Sequence, residues 1–471
     1  MIPAEPPPPP ALPIQRVSAG VVRGDPLTAT QDHLAQINWT PPRPGGRRPI
    51  VAVLDTGVDP TAPDLAGVVM TAAARSFVPG NRDATVDPEG HGTHLAGIIA
   101  ARSGNGTGGS GVAAARILPV TIADAQGRTT TSSLVRGVRY ATARGARVIN
   151  ISFGGTGASL LEQEAIEAAT RQGALVVVAV GNGGGRGGAP GYPGAYRHVM
   201  AVAALGAEGR ALPISERGPQ VAIAAPGEDV RSVAPRGPRG TAKAGLVART
   251  GTSMAAAIVT GAAARLFAQR PALSAQQVRA ILESTAHDVP PSGPDLAAGA
   301  GALDLKAALA APTPSRGDRE PNDEIALTRR LPALLGADAP GPAVLRGRTG
   351  AWSDPRDLFR VPLRAGETLT ADLAITGATP LAADLDLLLW RPGTPSGRRG
   401  PAVGRRWLAA ASLGPGADES LRATASTDGV YTVEVRGLRG AADYALTVRR
   451  DVTVRPQGVR GAGAAAMMGR G

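Results

Sequence analysis

Between residues 132 and 180 the apolar period changes repeatedly, and this alternation limits the folds open to the chain. Residues 132–144 have helical spacing, 147–152 read as a strand, 159–171 as a helix and 174–180 as another strand. Strands that alternate with helices at this spacing pair in parallel, each helix being the crossover that returns the chain to the same end of the sheet. The crossovers are right-handed and helices cover both faces. An earlier run, Ile50-Val51-Ala52-Val53-Leu54-Asp55, is continuously apolar like a strand buried on both sides, and it ends in a carboxylate. In such sheets ligand sites collect at the carboxyl ends of the strands, where Asp55, Ser152 and Asn182 stand.

Two stretches add chemistry to that frame. Gly90-His91-Gly92-Thr93-His94-Leu95 places a histidine at the opening of a buried helix, and Gly251-Thr252-Ser253-Met254-Ala255-Ala256 places a hydroxyl at the opening of another. At a first helical turn, unpaired N–H groups and the positive end of the dipole face any anion formed beside the serine oxygen. Taken singly, Ser253 reads as an ordinary N-cap, Asp55 as a strand-end turn residue and His91 as a satisfied core histidine. Taken together, an acid, a base and a hydroxyl in those three contexts point to acyl transfer.

The three motifs, in the order Asp, His, Ser, resemble the subtilisin-like serine proteases. The resemblance covers residues 25–311 and implies a three-layer α/β fold with a mainly parallel sheet. It also implies Asp55 as the triad acid, His91 as the general base and Ser253 as the nucleophile. His94, one turn beyond His91, reads as a packing or hydrogen-bonding residue. Ala174-Leu175-Val176-Val177-Val178-Ala179-Val180-Gly181-Asn182-Gly183 resembles the family's oxyanion segment. Asn182 would then donate to the developing charge together with the N–H of Ser253; an Asn beside Gly is otherwise a common turn residue.

The same resemblance implies a substrate held as an added strand. On that resemblance Ser152, Phe153 and Gly154 would form one wall of the first specificity pocket, Gly181 the other and Gly191 its base, and the stretch from Gly127 to Leu134 would be the opposite edge. With no charge visible in those walls, large apolar or aromatic side chains are expected before the scissile bond. A preference for Lys or Arg there would direct attention to Asp229 or Glu216. Two departures stand out: Ala257-Ile258 replaces a customary Pro-His or similar pair, so a different bend of the nucleophile helix is expected. The loop 103–110, where relatives hold a structural calcium, contains no carboxylate, so no strong cation site is expected there. No cofactor is required for the chemistry, and the resemblance leaves a structural calcium held by backbone carbonyls as the one metal open to the chain.

Beyond residue 311 the pattern changes. Residues 312–318 read as a linker, and 319–450 as an antiparallel β-sandwich whose strands alternate with period two, as in 358–363, 368–375, 384–390 and 430–435. Glu320-Pro321-Asn322-Asp323, Asp357-Leu358-Phe359-Arg360-Val361, Asp384-Leu385-Asp386-Leu387 and Tyr444-Ala445-Leu446-Thr447-Val448 resemble the bacterial pre-peptidase C-terminal domain. Asp384 and Asp386 read as alternating acids on a solvated strand face before they read as calcium ligands. Residues 451–471 form a loose Gly/Ala/Arg tail. Residues 1–24 form a Pro-rich, disordered lead. That lead carries no recognisable signal peptide or folding pro-domain.

A formal charge of +12 ordinarily raises nucleic-acid binding. Here the basic residues are almost all arginine, scattered along the chain, and Phe, Trp and Tyr make up 3% of it, so stacking platforms are lacking and no nucleic-acid partner is expected. With no cysteine, a disulfide scaffold and thiolate metal sites are excluded. No uninterrupted apolar run exceeds that of 174–180, which is too short to span a bilayer. The expected protein is a monomeric serine endopeptidase acting on protein or peptide substrates, outside the cell or at its surface by resemblance. The alternatives are an esterase or transpeptidase with the same triad, and a catalytically impaired binding protein.

Overall fold

The computed structural model describes residues 25–451, apart from 82, 185–190, 235–244, 291–294, 315–321, 323–327, 330–331, 336–341, 351–354, 377–382, 396–404, 415–417 and 440. The expected lead, most of the linker, residues 452–471 of the tail and Glu320, Pro321 and Asp323 lie outside the described residues.

Strands β1 (Ile50–Asp55), β2 (Arg75–Ser76), β3 (Arg116–Thr121), β4 (Val148–Ile151), β5 (Leu175–Ala179), β6 (Val199–Leu205) and β7 (Val221–Pro226) form one sheet in the order β2-β3-β1-β4-β5-β6-β7. Every pairing in it is parallel. The helices are α1 (Asp32–Gln36), α2 (His91–Ala100), α3 (Thr131–Ala143), α4 (Leu160–Arg171), α5 (Thr252–Gln269), α6 (Ala275–Ser284) and α7 (Leu305–Ala310). A small antiparallel pair, β8 (Val230–Val233) and β9 (Leu246–Arg249), lies outside the sheet.

Alternate residues of β1 enter two different cores, as period two requires. Val51 and Val53 pack with α2, α5 and α6, whereas Ala52 and Leu54 pack with α3 and α4. This is the expected three-layer arrangement. Asp55 continues the first series, so its side chain projects to the face that carries α2 and α5. From β1 the chain crosses to β3 on one side, then returns to β4 on the other. The order therefore reverses at β1, and at such a switch point the departing connections leave a crevice beyond the strand ends. Asp55 is the last residue of that strand.

Helix α5 runs unbroken for 18 residues, with Ala257 and Ile258 fully buried in the core. Its alanines let it sit between the sheet and α2. Two strands not apparent from the sequence, β6 and β7, are Ala-rich and buried along their whole length on the same side of the sheet.

The C-terminal region is antiparallel. Strands β10 (Ala343–Gly350), β11 (Arg356–Leu363), β12 (Thr368–Ile375), β13 (Asp384–Trp390), β14 (Leu408–Ser412), β15 (Glu419–Thr424), β16 (Gly429–Arg439) and β17 (Ala441–Asp451) make two four-stranded sheets, β10-β17-β12-β15 and β11-β16-β13-β14. One core lies between them, including Leu369, Leu387, Val433 and Leu446. The expectation of a solvated acidic face on β13 does not hold for Asp386. It is 5% exposed because β13 is an inner strand, and burial raises its carboxyl above the usual range while Arg436, opposite it in the ladder, acts the other way.

Candidate active site

His91 Nδ1 lies 2.8 Å from Asp55 Oδ1. Asp55 has no exposed surface and the His91 side chain is 16% exposed, so one end of the pair is sealed and the other meets the crevice. The backbone makes this contact possible at Gly92. A Cβ there would fall 2.1 Å from the Gly57 carbonyl oxygen and 3.0 Å from Asp55 Cβ, so only glycine lets α2 start against the end of β1. Asp55 Oδ1 also accepts from the Thr56 N–H at 2.9 Å and the Thr56 hydroxyl at 3.2 Å. Burial pulls the His91 imidazole down, but the charge and hydrogen bond of Asp55 outweigh it, and the net shift is upward from the ordinary value.

Behind this pair stands a residue the sequence reading did not single out. Asp87 accepts from the N–H of Gly90 at 2.9 Å and of Thr93 at 2.8 Å, so its carboxylate caps the start of α2. The Thr56 hydroxyl reaches it at 2.7 Å, linking the cap to the end of β1. Burial raises its carboxyl above the usual range. An acid four residues before a helix-opening histidine is a capping signal that sequence alone carries. His94 plays the packing part expected of it: Nε2 is 3.0 Å from the Val247 carbonyl oxygen, and burial lowers its imidazole to about 4.

Ser253 is in the first turn of α5, 7% exposed, where its N–H has no partner within the helix. Asn182 is fixed to the same turn. Its Oδ1 accepts from the Thr252 N–H and hydroxyl, both at 2.9 Å. A backbone N–H can only donate, so this bond decides which end of the amide is oxygen. The Nδ2 end makes no hydrogen bond among the described residues, and Asn182 is exposed. Gly251, at φ +152°, leaves room for it: a Cβ there would lie 3.2 Å from Nδ2.

The pocket residues come together around the ends of β4 and β5. Ser152 Oγ accepts from Asn150 Nδ2 at 3.1 Å, and the Thr260 hydroxyl of α5 donates to Asn150 Oδ1 at 2.9 Å, stapling this wall to the helix that carries Ser253. The Phe153 ring meets His91 edge-on, with centroids 5.9 Å apart. Gly155 and Tyr192 exchange both backbone hydrogen bonds at 2.8 Å, which seats the Gly191 segment across the end of the slot. The stretch from Gly127 to Leu134 is not one extended edge. Gly127 sits in a turn, Thr130 caps α3, and Leu134 is 5% exposed inside the core.

A charge stands next to Gly181, which the sequence left uncharged on its own strand. Glu216 donates its backbone N–H to the Gly181 carbonyl at 3.0 Å, and its carboxyl carbon would lie 2.5 Å from a Cβ on Gly181. Asp229 is elsewhere, beside Thr250.

Loop 103–110 also differs from the expectation of a site without carboxylates. Asp25 and Asp64 reach it from other segments. Asp25 accepts from the N–H groups of Asn105 and Gly106 at 2.9 and 3.1 Å, and Asp64 from Thr107 Oγ1 at 2.9 Å and the Gly109 N–H at 3.1 Å. Amide groups of the loop thus converge on anions. The loop itself holds no carboxylate, but two buried ones, Asp25 and Asp64, stand beside it. Among the described residues no three His, Cys, Asp or Glu side chains form a metal-binding group, and no helix is long and apolar enough to cross a membrane.

The chain is similar to known proteins over its parallel-sheet region. Residues 46–301 match the Subtilase family (Peptidase_S8). Thermitase of Thermoactinomyces vulgaris is 38% identical over 244 residues, 52% of this chain and 82% of thermitase. Subtilisin Savinase of Lederbergia lenta is 40% identical over 237 residues, 50% and 82% of the two chains. The cell wall-associated protease of Bacillus subtilis is 40% identical over 241 residues, but the match spans 51% of this chain and only 26% of that protein. Among solved structures, a protease of Pseudoalteromonas arctica superposes with a TM-score of 0.54 at 29% identity, covering 61% of this chain and 98% of that one. The sandwich lies outside the family match. The chain belongs to the subtilase family of serine proteases.

Proposed function

We propose that the protein is an endopeptidase that cleaves peptide bonds through an acyl-enzyme, with Asp55, His91 and Ser253 as its triad. Ser253 Oγ attacks the scissile carbonyl carbon and gives its proton to His91 Nε2. Asp55 holds the proton on Nδ1 and stabilises the imidazolium. The carbonyl oxygen, now negative, accepts from Asn182 Nδ2 and the Ser253 N–H, donors set in place before charge develops. His91 then protonates the leaving amine as the C–N bond breaks. Water attacks the ester with His91 again as base, which releases the acid and restores Ser253. The walls of Phe153 and glycine backbone leave room for a large side chain before the cut bond.

One observation carries this reading: the 2.8 Å contact between His91 and a fully buried Asp55, in a chain of this family. The name of the cell wall-associated relative supports action outside the cell or at its surface. Ser253→Ala tests the nucleophile. It should abolish labelling by a serine-directed phosphonate and lower kcat by about 10⁶-fold, the loss seen when the same unit is dismantled in subtilisin, a relative. Labelling and turnover that persist in a folded Ser253→Ala protein would refute it.

A further inference from the structure

Beside the residues read as the wall and base of the specificity pocket stands a carboxylate that has no counter-ion among the described residues. Segments 181–184 and 213–216 run side by side, joined by the Glu216 N–H to the Gly181 carbonyl at 3.0 Å and the Gly184 N–H to the Ile214 carbonyl at 2.9 Å. This pairing turns the Glu216 side chain across the end of β5. Three glycines surround its head. A Cβ on Gly181 would lie 2.5 Å from Glu216 Oε1, one on Gly183 2.9 Å from Oε1, and one on Gly191 3.1 Å from Oε2. Side chains at those positions would occupy the space the carboxylate uses. Gly181 and Gly191 are the two residues assigned above to the pocket's wall and base, and Asn182, one residue on from Gly181, is bonded to the helix of Ser253.

Among the described residues, neither Glu216 oxygen accepts a hydrogen bond or faces a cation within ion-pair distance, although the residue is only partly exposed. A partly buried carboxylate without a partner is open to one. A cation entering along the slot restores the balance. The slot has the right form for a long cationic side chain: apolar flanks at Phe153 and the glycine backbone for the methylene stem, and the charge at the end.

We infer that Glu216 is a specificity-determining residue that selects Lys or Arg immediately before the scissile bond. The inference rests on the proposed triad only in that the bond must be cut. It reverses the apolar preference read from the walls alone, because the charge comes from a segment some 35 residues beyond them in sequence.

The test is a set of fluorogenic peptides identical except at the residue before the cleaved bond: Lys, Arg, Gln, Met, Leu, Phe and Glu. The wild-type protein should cleave the Lys and Arg peptides with kcat/KM about 10- to 100-fold above the Met and Gln peptides, the range for one charge-assisted hydrogen-bonded contact. Glu216→Gln should lower the Lys-to-Met ratio by a similar factor, and Glu216→Arg should invert the order so that Glu overtakes Lys. Using ratios separates loss of selectivity from damage to the protein, which would lower all peptides alike. A wild-type profile led by Phe or Leu, or a ratio unmoved by Glu216→Gln, overturns the inference while leaving the triad standing. A protein that cleaves none of the peptides and takes no phosphonate label would instead bring down the proposed function, and this inference with it.

Discussion

Asp55 in the parallel sheet and Asp357 in the antiparallel sandwich are buried to the same degree, both at 0% exposure, and each meets one aromatic partner. Asp55 lies 2.8 Å from His91 Nδ1, and Asp357 accepts from the Tyr444 hydroxyl at 2.6 Å. What separates them is place and partner. Asp55 ends a strand at the switch point of an open parallel sheet, and its partner is an imidazole with an edge in the crevice. Asp357 lies within a ladder, opposite Val435, and its partner is a phenol with no exposed surface. Burying a carboxylate therefore makes a site only where the fold leaves its partner reachable. Elsewhere it ties strands together.

The sharpest test of that contrast is Asp55→Asn. It leaves the side chain's shape but removes the charge that fixes the histidine tautomer, and kcat should fall about 10⁴-fold with the fold retained. The pH profile carries the same information. His91 acts as base only when neutral, and its raised value places the acid limb of kcat/KM above the ordinary imidazole value of about 6.5. Without the Asp55 charge, burial is left to pull the imidazole down, so residual activity should show its acid limb at lower pH. Protonated His91 likewise favours the fold: that contribution is complete below about 6.5 and is lost as the pH rises through the folded value. An unmoved limb in Asp55→Asn would mean that the pair is structural, like Asp357 and Tyr444.

Asn182→Ala ranks next. Its Oδ1 bonds anchor it to Thr252, and its Nδ2, with no hydrogen bond among the described residues, is the donor proposed for the transition state. Turnover should drop about 10²- to 10³-fold with KM nearly constant. A rise in KM with kcat intact would make Asn182 a substrate-binding group instead.

Much of this was legible in the sequence because the signals were local. A continuous apolar run ending in Asp55, and helices opening at His91 and Ser253, need no distant partner to be recognised. The helix boundaries at 131–143 and 160–171 fall within a residue of the spacing that announced them. Strands β6 and β7 were harder, since Val-Met-Ala-Val-Ala-Ala-Leu suits a buried helix as well as a buried strand. Asp25 and Glu216 were hidden for another reason. Each acts on a segment brought to it by the fold, and no period or spacing marks which loop will fold over which. Glu216 was visible as a charge near the pocket's sequence, but its place beside Gly181 depends on two backbone hydrogen bonds between loops.

In the sandwich, Asp357→Asn or Tyr444→Phe should show the reverse profile. Each weakens a buried hydrogen bond to a charged group, a loss of about 1.5–3 kcal/mol in unfolding free energy measured by denaturant titration. Peptide kcat/KM should hold. A fall in peptide turnover comparable to that of Asn182→Ala would mean that the sandwich helps to shape the site, and the contrast between the two carboxylates would collapse.

The smallest effect is expected where the two regions touch. Arg348 of β10 reaches Glu283 of α6 at 3.1 Å and Asp443 of β17 at 3.4 Å, so one guanidinium spans both. Glu283 keeps a second partner without it, Arg279 at 2.7 Å. Arg348→Ala therefore strands no buried charge, and its loss should be near 1 kcal/mol, in the range of a partly exposed pair. The hydrophobic cores tell the same story. One gathers residues up to Ala311, the other begins at Leu334, and no residue belongs to both. A chain ending at Thr313 should accordingly fold and cleave small peptides within about twofold of the full-length rate, with the sandwich serving attachment or capture of large substrates instead. Measured together, melting temperature and peptide kcat/KM decide the matter. A marked drop in either for the shortened chain, but not for Arg348→Ala, would show that the sandwich supports the catalytic region through more than this ion pair, and that the two regions are one unit.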